Sequence, residues 1–167
     1  MKKNQLATTS ITILTIIMFA GASFAALGLK YTIPGAAFRG VNREAIPNIY
    51  IDIYGRAYNL STTSMFRAIA PLPRRSSTGA TTLSATIYYT DNNTTANRYI
   101  SCRLHNVTHH SEAWKYSNSV QSADGSGSMT VSISNPYDNT TALLYCGIAQ
   151  KTSTAYSYIN QISFTEN

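Results

Sequence analysis

The sequence predicts an all-β fold, an antiparallel two-sheet sandwich of jelly-roll type with about seven or eight strands, and three observations carry that prediction. Apolar and polar residues alternate with period 2 over repeated short runs, which on a pleated strand separates a buried face from a solvated one. Clusters of Asn, Asp, Gly and Pro separate the runs. The composition is rich in Tyr, Ser and Thr, with 12 Tyr in 167 residues, and no stretch shows the 3.6-residue periodicity of a helix. With 44% hydrophobic and 12% charged residues the chain suits one folded core and is unlike a disordered segment.

The elements follow in chain order. Residues 1–25 read as a secretory signal peptide, with Lys2-Lys3 as the positive start, an apolar stretch from Ile11 to Ala20 and a small-x-small cleavage site at Ser23-Phe24-Ala25. The apolar stretch is broken by Thr12 and Thr15 and is too short to span a bilayer, so an exported mature chain beginning at Ala26 is expected, with no membrane span left. No Cys follows the cleavage site to be acylated, and the destination is periplasm or medium. Residues 26–167 then form a single sandwich domain. Residues 26–45 are a loose segment. The run 48–54 places Ile49, Ile51 and Ile53 against Tyr50, Asp52 and Tyr54, and a further strand is expected over 65–70. The alternation is clearest in Leu83, Ala85, Ile87 and Tyr89 against Ser84, Thr86, Tyr88 and Thr90. It returns with Ile100, Cys102 and Leu104, with Met129, Val131 and Ile133, with Leu144, Cys146 and Ile148, and with Ile162 and Phe164 in a last strand over 156–165. The turns between them are Asp91-Asn92-Asn93-Thr94, Asp124-Gly125-Ser126-Gly127 and Asn135-Pro136-Tyr137-Asp138-Asn139.

Cys102 and Cys146 both fall on the apolar face of an expected strand in a chain sent to an oxidising compartment, so a bridge between them is the leading reading. Two separate buried thiols are the alternative. A nucleophilic thiol fits less well, because it wants an exposed, electropositive setting.

Asn59-Leu60-Ser61, the run Phe66 to Arg74 containing Ala70-Pro71-Leu72, Ile100-Ser101-Cys102-Arg103-Leu104, Tyr145-Cys146 and a Tyr-rich terminal strand together resemble small secreted bacterial β-sandwich proteins of uncharacterised function, over residues 59–167. In that pattern a Cys stands where Ala70 stands here and pairs with an earlier Cys. The resemblance therefore implies that Ala70 and a residue near Phe38 take the places of a lost second disulfide. It brings no catalytic residues with it.

Catalytic chemistry is poorly marked. His105, His109, His110 and Glu112 are metal-ligand residue types close together, but their spacing in an expected strand end and loop specifies no coordination geometry, so no metal and no cofactor is expected. No Gly-x-Ser-x-Gly elbow is present, and seven acidic residues, with Glu166 at the chain end, single out no carboxylate pair. Basic residues outnumber acidic ones, 13 to 7, yet they are scattered, so the charge does not point to nucleic acid.

What remains is a surface. Tyr88, Tyr99, Trp114 and Tyr116 fall on or near the polar-facing sets of their strands, where rings beside Ser, Thr and Asn could stack on sugar rings and bond their hydroxyls. Taken singly, each is better explained by sheet pairing, and Trp114 reads more readily as a core residue. The sequence thus leads to an exported, non-catalytic binding module for extracellular glycans or a cell-surface partner. A structural or surface-assembly protein is the alternative, with the apolar run Ile49 to Tyr54 as an open edge, and a hydrolase with unmarked residues is the second.

Overall fold

The inward alternation of the sequence builds two antiparallel sheets laid face to face. The structure, a computed structural model, describes residues 29–43, 45–74, 79–93, 98–108 and 113–167, and the expected signal peptide at 1–25 lies outside the described residues. In chain order the strands are β1 (Leu29–Pro34), β2 (Arg39–Gly40), β3 (Ile49–Ile51), β4 (Ala57–Asn59), β5 (Phe66–Leu72) and β6 (Thr82–Asp91). They continue with β7 (Ser101–Thr108), β8 (Trp114–Tyr116), β9 (Val120–Gln121), β10 (Gly125–Ser134), β11 (Thr140–Ile148) and β12 (Ser157–Glu166). The front sheet runs β2-β5-β11-β7-β8, with β9 also on β7, and the back sheet runs β10-β6-β12-β4-β3, with β1 also on β12.

The core is the layer between them. From the front come Ala68, Ala70, Leu104, Leu144 and Ile148, and from the back Leu83, Ile87, Val131, Ile162 and Phe164, all buried. Each large apolar side chain removed from water here stabilises the fold by about 1.5–3 kcal/mol. A bulge between Ile159 and Gln161 in β12 breaks the alternation, so that Ile159 and Ile162, three positions apart, both reach the core.

Cys102 and Cys146 are bridged, with Cα atoms 4.1 Å apart. They stand directly opposite each other on β7 and β11, so the bridge joins two neighbouring strands of the front sheet rather than one sheet to the other. Arg39 pairs with Ile69 and Gly40 with Ala68, and the neighbouring residues Phe38 and Ala70, the positions the family resemblance singles out, are both buried in the core.

Three expectations are corrected. The run 48–54 is not one strand: β3 stops at Ile51, and Ile53 is 90% exposed. Asp52 causes this, since its Oδ1 accepts the amides of Tyr54 (2.9 Å) and Arg56 (3.0 Å) and so closes a turn completed by Gly55 at φ +74°. Residues 125–127 belong to β10 rather than to a turn. Glu166 is not at a loose end but is held on one side by β1 and on the other by β6. Its buried carboxylate meets Arg74 Nη2 at 2.9 Å, and Arg74 also donates to the Tyr137 carbonyl at 2.9 Å, tying the front and back sheets at one end of the sandwich. That burial and pairing take Glu166 out of the pool of carboxylates free for acid chemistry.

Candidate functional site on the front sheet

The outward-facing residues of the front sheet are those left over when the inner alternation is removed, and register decides which of them meet. Tyr145 on β11 lies opposite Ile69 on β5 and Arg103 on β7. One step along, Leu143 lies opposite Pro71 and His105, and His105 lies opposite Tyr116 on β8. One step the other way, Gly147 lies between Arg67 and Ser101. The sheet thus gathers residues far apart in sequence onto one surface.

Along this surface lies an open groove of about 490 Å³. Its sides are Arg67, Tyr99, Arg103 and His105, with Tyr145 as the ring on its floor. At one end a Cβ on Gly147 would come within 2.8 Å of the Met65 sulfur, so the glycine leaves room for Met65 to lie close over the strand beside the groove. Ser119 and Ser101 share a hydroxyl hydrogen bond of 2.7 Å on the opposite wall.

His105 is the hub of the aromatic surface. Its ring lies 5.5 Å from Tyr145, 6.1 Å from Tyr116 and 6.1 Å from Trp114, the last edge-on. Burial, with the Arg103 charge as a second cause, pushes its pKa below the ordinary 6.5, so the imidazole is neutral at pH 7. The Arg103 guanidinium lies over the Tyr116 ring at 5.1 Å. Among the described residues neither Arg67 nor Arg103 takes part in an ion pair, and no described Asp or Glu lines the groove.

Of the four aromatic residues singled out from the sequence, Tyr99, Trp114 and Tyr116 lie on this face, Tyr99 lining the groove and Trp114 and Tyr116 standing beyond it against His105. Trp114 is 52% exposed and Tyr116 61%, so Trp114 is a surface ring and not the core residue it resembles in isolation. Tyr88 is elsewhere: on β6 it faces outward between Ser128 and Gln161, on the far side of the sandwich. Tyr145, Arg103, Arg67 and His105 complete the surface. Alternation could place them on an outer face, but only the pairing register gathers them on the same sheet as Tyr116. His105 sits within β7 rather than at its end, while His109, His110 and Glu112 lie outside the described residues.

The back sheet carries an aromatic cluster of its own. Tyr50, Tyr58 and Tyr158 form one row across β3, β4 and β12. Tyr58 lies 5.0 Å from Tyr50 and 5.9 Å from Tyr156, around a hollow of about 270 Å³. Burial, then the neighbouring Tyr50, push the Tyr58 phenol above its ordinary pKa. Arg56 lies over the Tyr158 ring at 4.7 Å and the Tyr54 ring at 5.0 Å, and its Nε donates to Asp52 Oδ2 at 2.6 Å. Burial disfavours charge on Asp52, but the hydrogen bonds from the Arg56 side chain and from the Arg56 and Tyr54 amides outweigh it and hold the carboxyl below its usual value.

No family model matches the chain, and no curated protein matches it by sequence. Solved structures do. The low-affinity xylan-binding module CBM86 of the gut symbiont Roseburia intestinalis superposes with a TM-score of 0.53 at 15% identity, covering 84% of this chain and 97% of that module. The xylan-binding module CBM15 superposes with a TM-score of 0.51 at 10% identity, covering 83% of this chain and 97% of its own. At these identities the likeness is one of fold: a β-sandwich of the kind found in carbohydrate-binding modules.

Proposed function

We propose that the protein is a non-catalytic carbohydrate-binding module that holds a polysaccharide chain along the outer face of its front sheet. The observation that carries this reading is an open groove lined by Tyr99 and Tyr145 and continued along the sheet, through His105, to the exposed rings of Trp114 and Tyr116. Pyranose rings present C–H faces to aromatic rings and hydroxyls at their rims, and the serines, arginines and imidazole beside these rings supply hydrogen-bonding groups at that rim. The groove is open along the surface rather than enclosed, which suits the middle of a chain. Two further observations support the reading: the fold shared with xylan-binding modules, and a structural disulfide suited to an exported protein.

The test is affinity electrophoresis of the purified protein through gels containing soluble xylan, mixed-linkage β-glucan, galactomannan or pectin, with Trp fluorescence as the second readout. The chain has 1 Trp, and it stands on the proposed site, so its emission reports occupancy of this face. At least one polysaccharide should retard the protein and shift its emission, and Trp114→Ala and Tyr116→Ala should lose the retardation while melting within a few degrees of the parent. No retardation by any of them, or retardation that both variants keep, would overturn the reading.

A further inference from the structure

The charge on the groove says more than its rings do. Arg67 on β5 and Arg103 on β7 flank Tyr145 and Gly147 of β11, on strands two spacings apart, about 10 Å across the sheet. Each guanidinium carries five N–H donors and no acceptor. On this surface neither is matched by a carboxylate, and neither is in an ion pair, among the described residues. A neutral sugar asks a site for both donors and acceptors, because every hydroxyl is both. This groove offers donors in excess: its side-chain acceptors are the hydroxyls of Ser101, Ser119, Tyr99 and Tyr145 and the imidazole of His105, each of which also donates, and no described carboxylate is among them. A group that only accepts, and that carries negative charge, is the complement of such a surface.

We propose that the ligand is an acidic polysaccharide, a pyranose chain bearing carboxylates in the manner of uronic acids, and that Arg67 and Arg103 are the residues that select it. The proposal rests on the glycan reading above and adds the class of glycan. Stacking of Arg103 on Tyr116 holds the planar guanidinium at 5.1 Å over the ring, leaving its edge as a fork for a carboxylate. The rings would take the sugar face while the two forks take the acid groups. An anion without pyranose rings would use only half of the surface.

Titration calorimetry of the purified protein decides it with two polymers, glucuronoxylan and polygalacturonate, each compared with its carboxyl-reduced, neutral form. At least one acidic polymer should bind roughly tenfold or more tightly than its reduced form at about 0.05 M salt, and the advantage should shrink at about 0.5 M as the charges are screened. The Arg67→Gln/Arg103→Gln double variant should lose the advantage and keep its melting point within a few degrees, since Arg67 is exposed and Arg103 half-buried at the surface. The Arg67→Lys/Arg103→Lys pair should retain a smaller preference, charge surviving without the fork. If an acidic polymer and its reduced form bind equally, the acidic-ligand proposal fails and the glycan reading stands. If no acidic polymer binds while a neutral glycan does, the outcome is the same. If nothing binds, both fail. Dextran sulfate bound as tightly as the better uronan would show charge capture without sugar recognition, and would also overturn the proposal.

Discussion

Both outer faces of the sandwich carry clustered tyrosines and guanidiniums, but the two clusters handle their charge in opposite ways. On the back, the Arg56 fork is closed by Asp52 and its flat face is covered by Tyr54 and Tyr158. The rings of Tyr50, Tyr58 and Tyr156 lean on each other, so the cluster answers its own needs and braces the short strands β3 and β4 against β12. On the front, the rings likewise touch, yet among the described residues Arg67 and Arg103 have no ion-pair partner. Gathered aromatics alone therefore do not mark a recognition surface. What distinguishes the front is polar capacity aimed outward with no partner of its own among the described residues.

The largest effect that can be imposed on this contrast comes from the bridge beneath the front face. Closing a separation of 44 residues removes about 4 kcal/mol of unfolded-state entropy in the simple chain model, so Cys102→Ala/Cys146→Ala should lose up to that much stability in denaturant unfolding. Because the two sheets share one core, the back cluster should melt with the front in a single transition. Separate melting of the two faces would show them to be less coupled than the shared core implies.

Single tyrosines sharpen the comparison next. Tyr145→Ala should weaken polysaccharide binding by roughly tenfold or more, as truncation of a central contact does, with little change in stability. Tyr58→Ala should do the reverse, losing on the order of 1 kcal/mol or more through its aromatic pairs and leaving binding intact. Calorimetry and thermal melting of both variants check this, and a binding loss in Tyr58→Ala would erase the distinction between the faces. Asp52→Asn is a milder version of the same test. It removes the partner of Arg56 and weakens the turn, so the melting point should fall slightly. It should also free a guanidinium on the back face, and weak salt-sensitive binding of polygalacturonate appearing there would show unspent charge to be the operative feature.

The smallest expected effect is one of pH. His105 faces Arg103 on its own strand, Trp114 and Tyr116 on β8 and Tyr145 on β11. Its pKa lies below the ordinary 6.5, so acidifying from pH 7 through that depressed value adds a third cation to the groove. Binding of a uronan should tighten modestly toward about pH 5, where its carboxylates remain ionised, and His105→Gln should flatten the dependence. The same shift costs stability in that direction. The unfolded chain takes up its proton near 6.5, before the folded one does, so stability present above that value is lost as pH falls below it.

Most of the fold was legible because burial imposes period 2, and Leu83 to Tyr89 or Cys102 and Leu104 could not have faced outward without exposing the core. The short strands β8 and β9, of three and two residues, were not, since so few positions show no alternation to read. The site was legible only in part for a related reason. Alternation sorts inside from outside, but it does not say which of two sheets a strand joins, so Tyr88 reads like Tyr99 and Tyr116 although it faces the opposite way. Tyr145 and His105 become neighbours of Tyr116 only through the β11-β7-β8 register, which no local pattern contains. Ile53 misled for the opposite reason: a local contact, the Asp52 side chain on the backbone, overrode a long-range pattern.

The bridge has one more consequence, for how such a surface can change over evolutionary time. Cys102 and Cys146 stand directly opposite one another, so β7 and β11 cannot slide past each other by even one residue without breaking a covalent bond. Their alignment is thus fixed covalently, whatever side chains stand at Arg103, His105 and Tyr145. Those positions need not hold the β7–β11 register, and substitutions there can exchange one ligand for another on that pinned pair of strands.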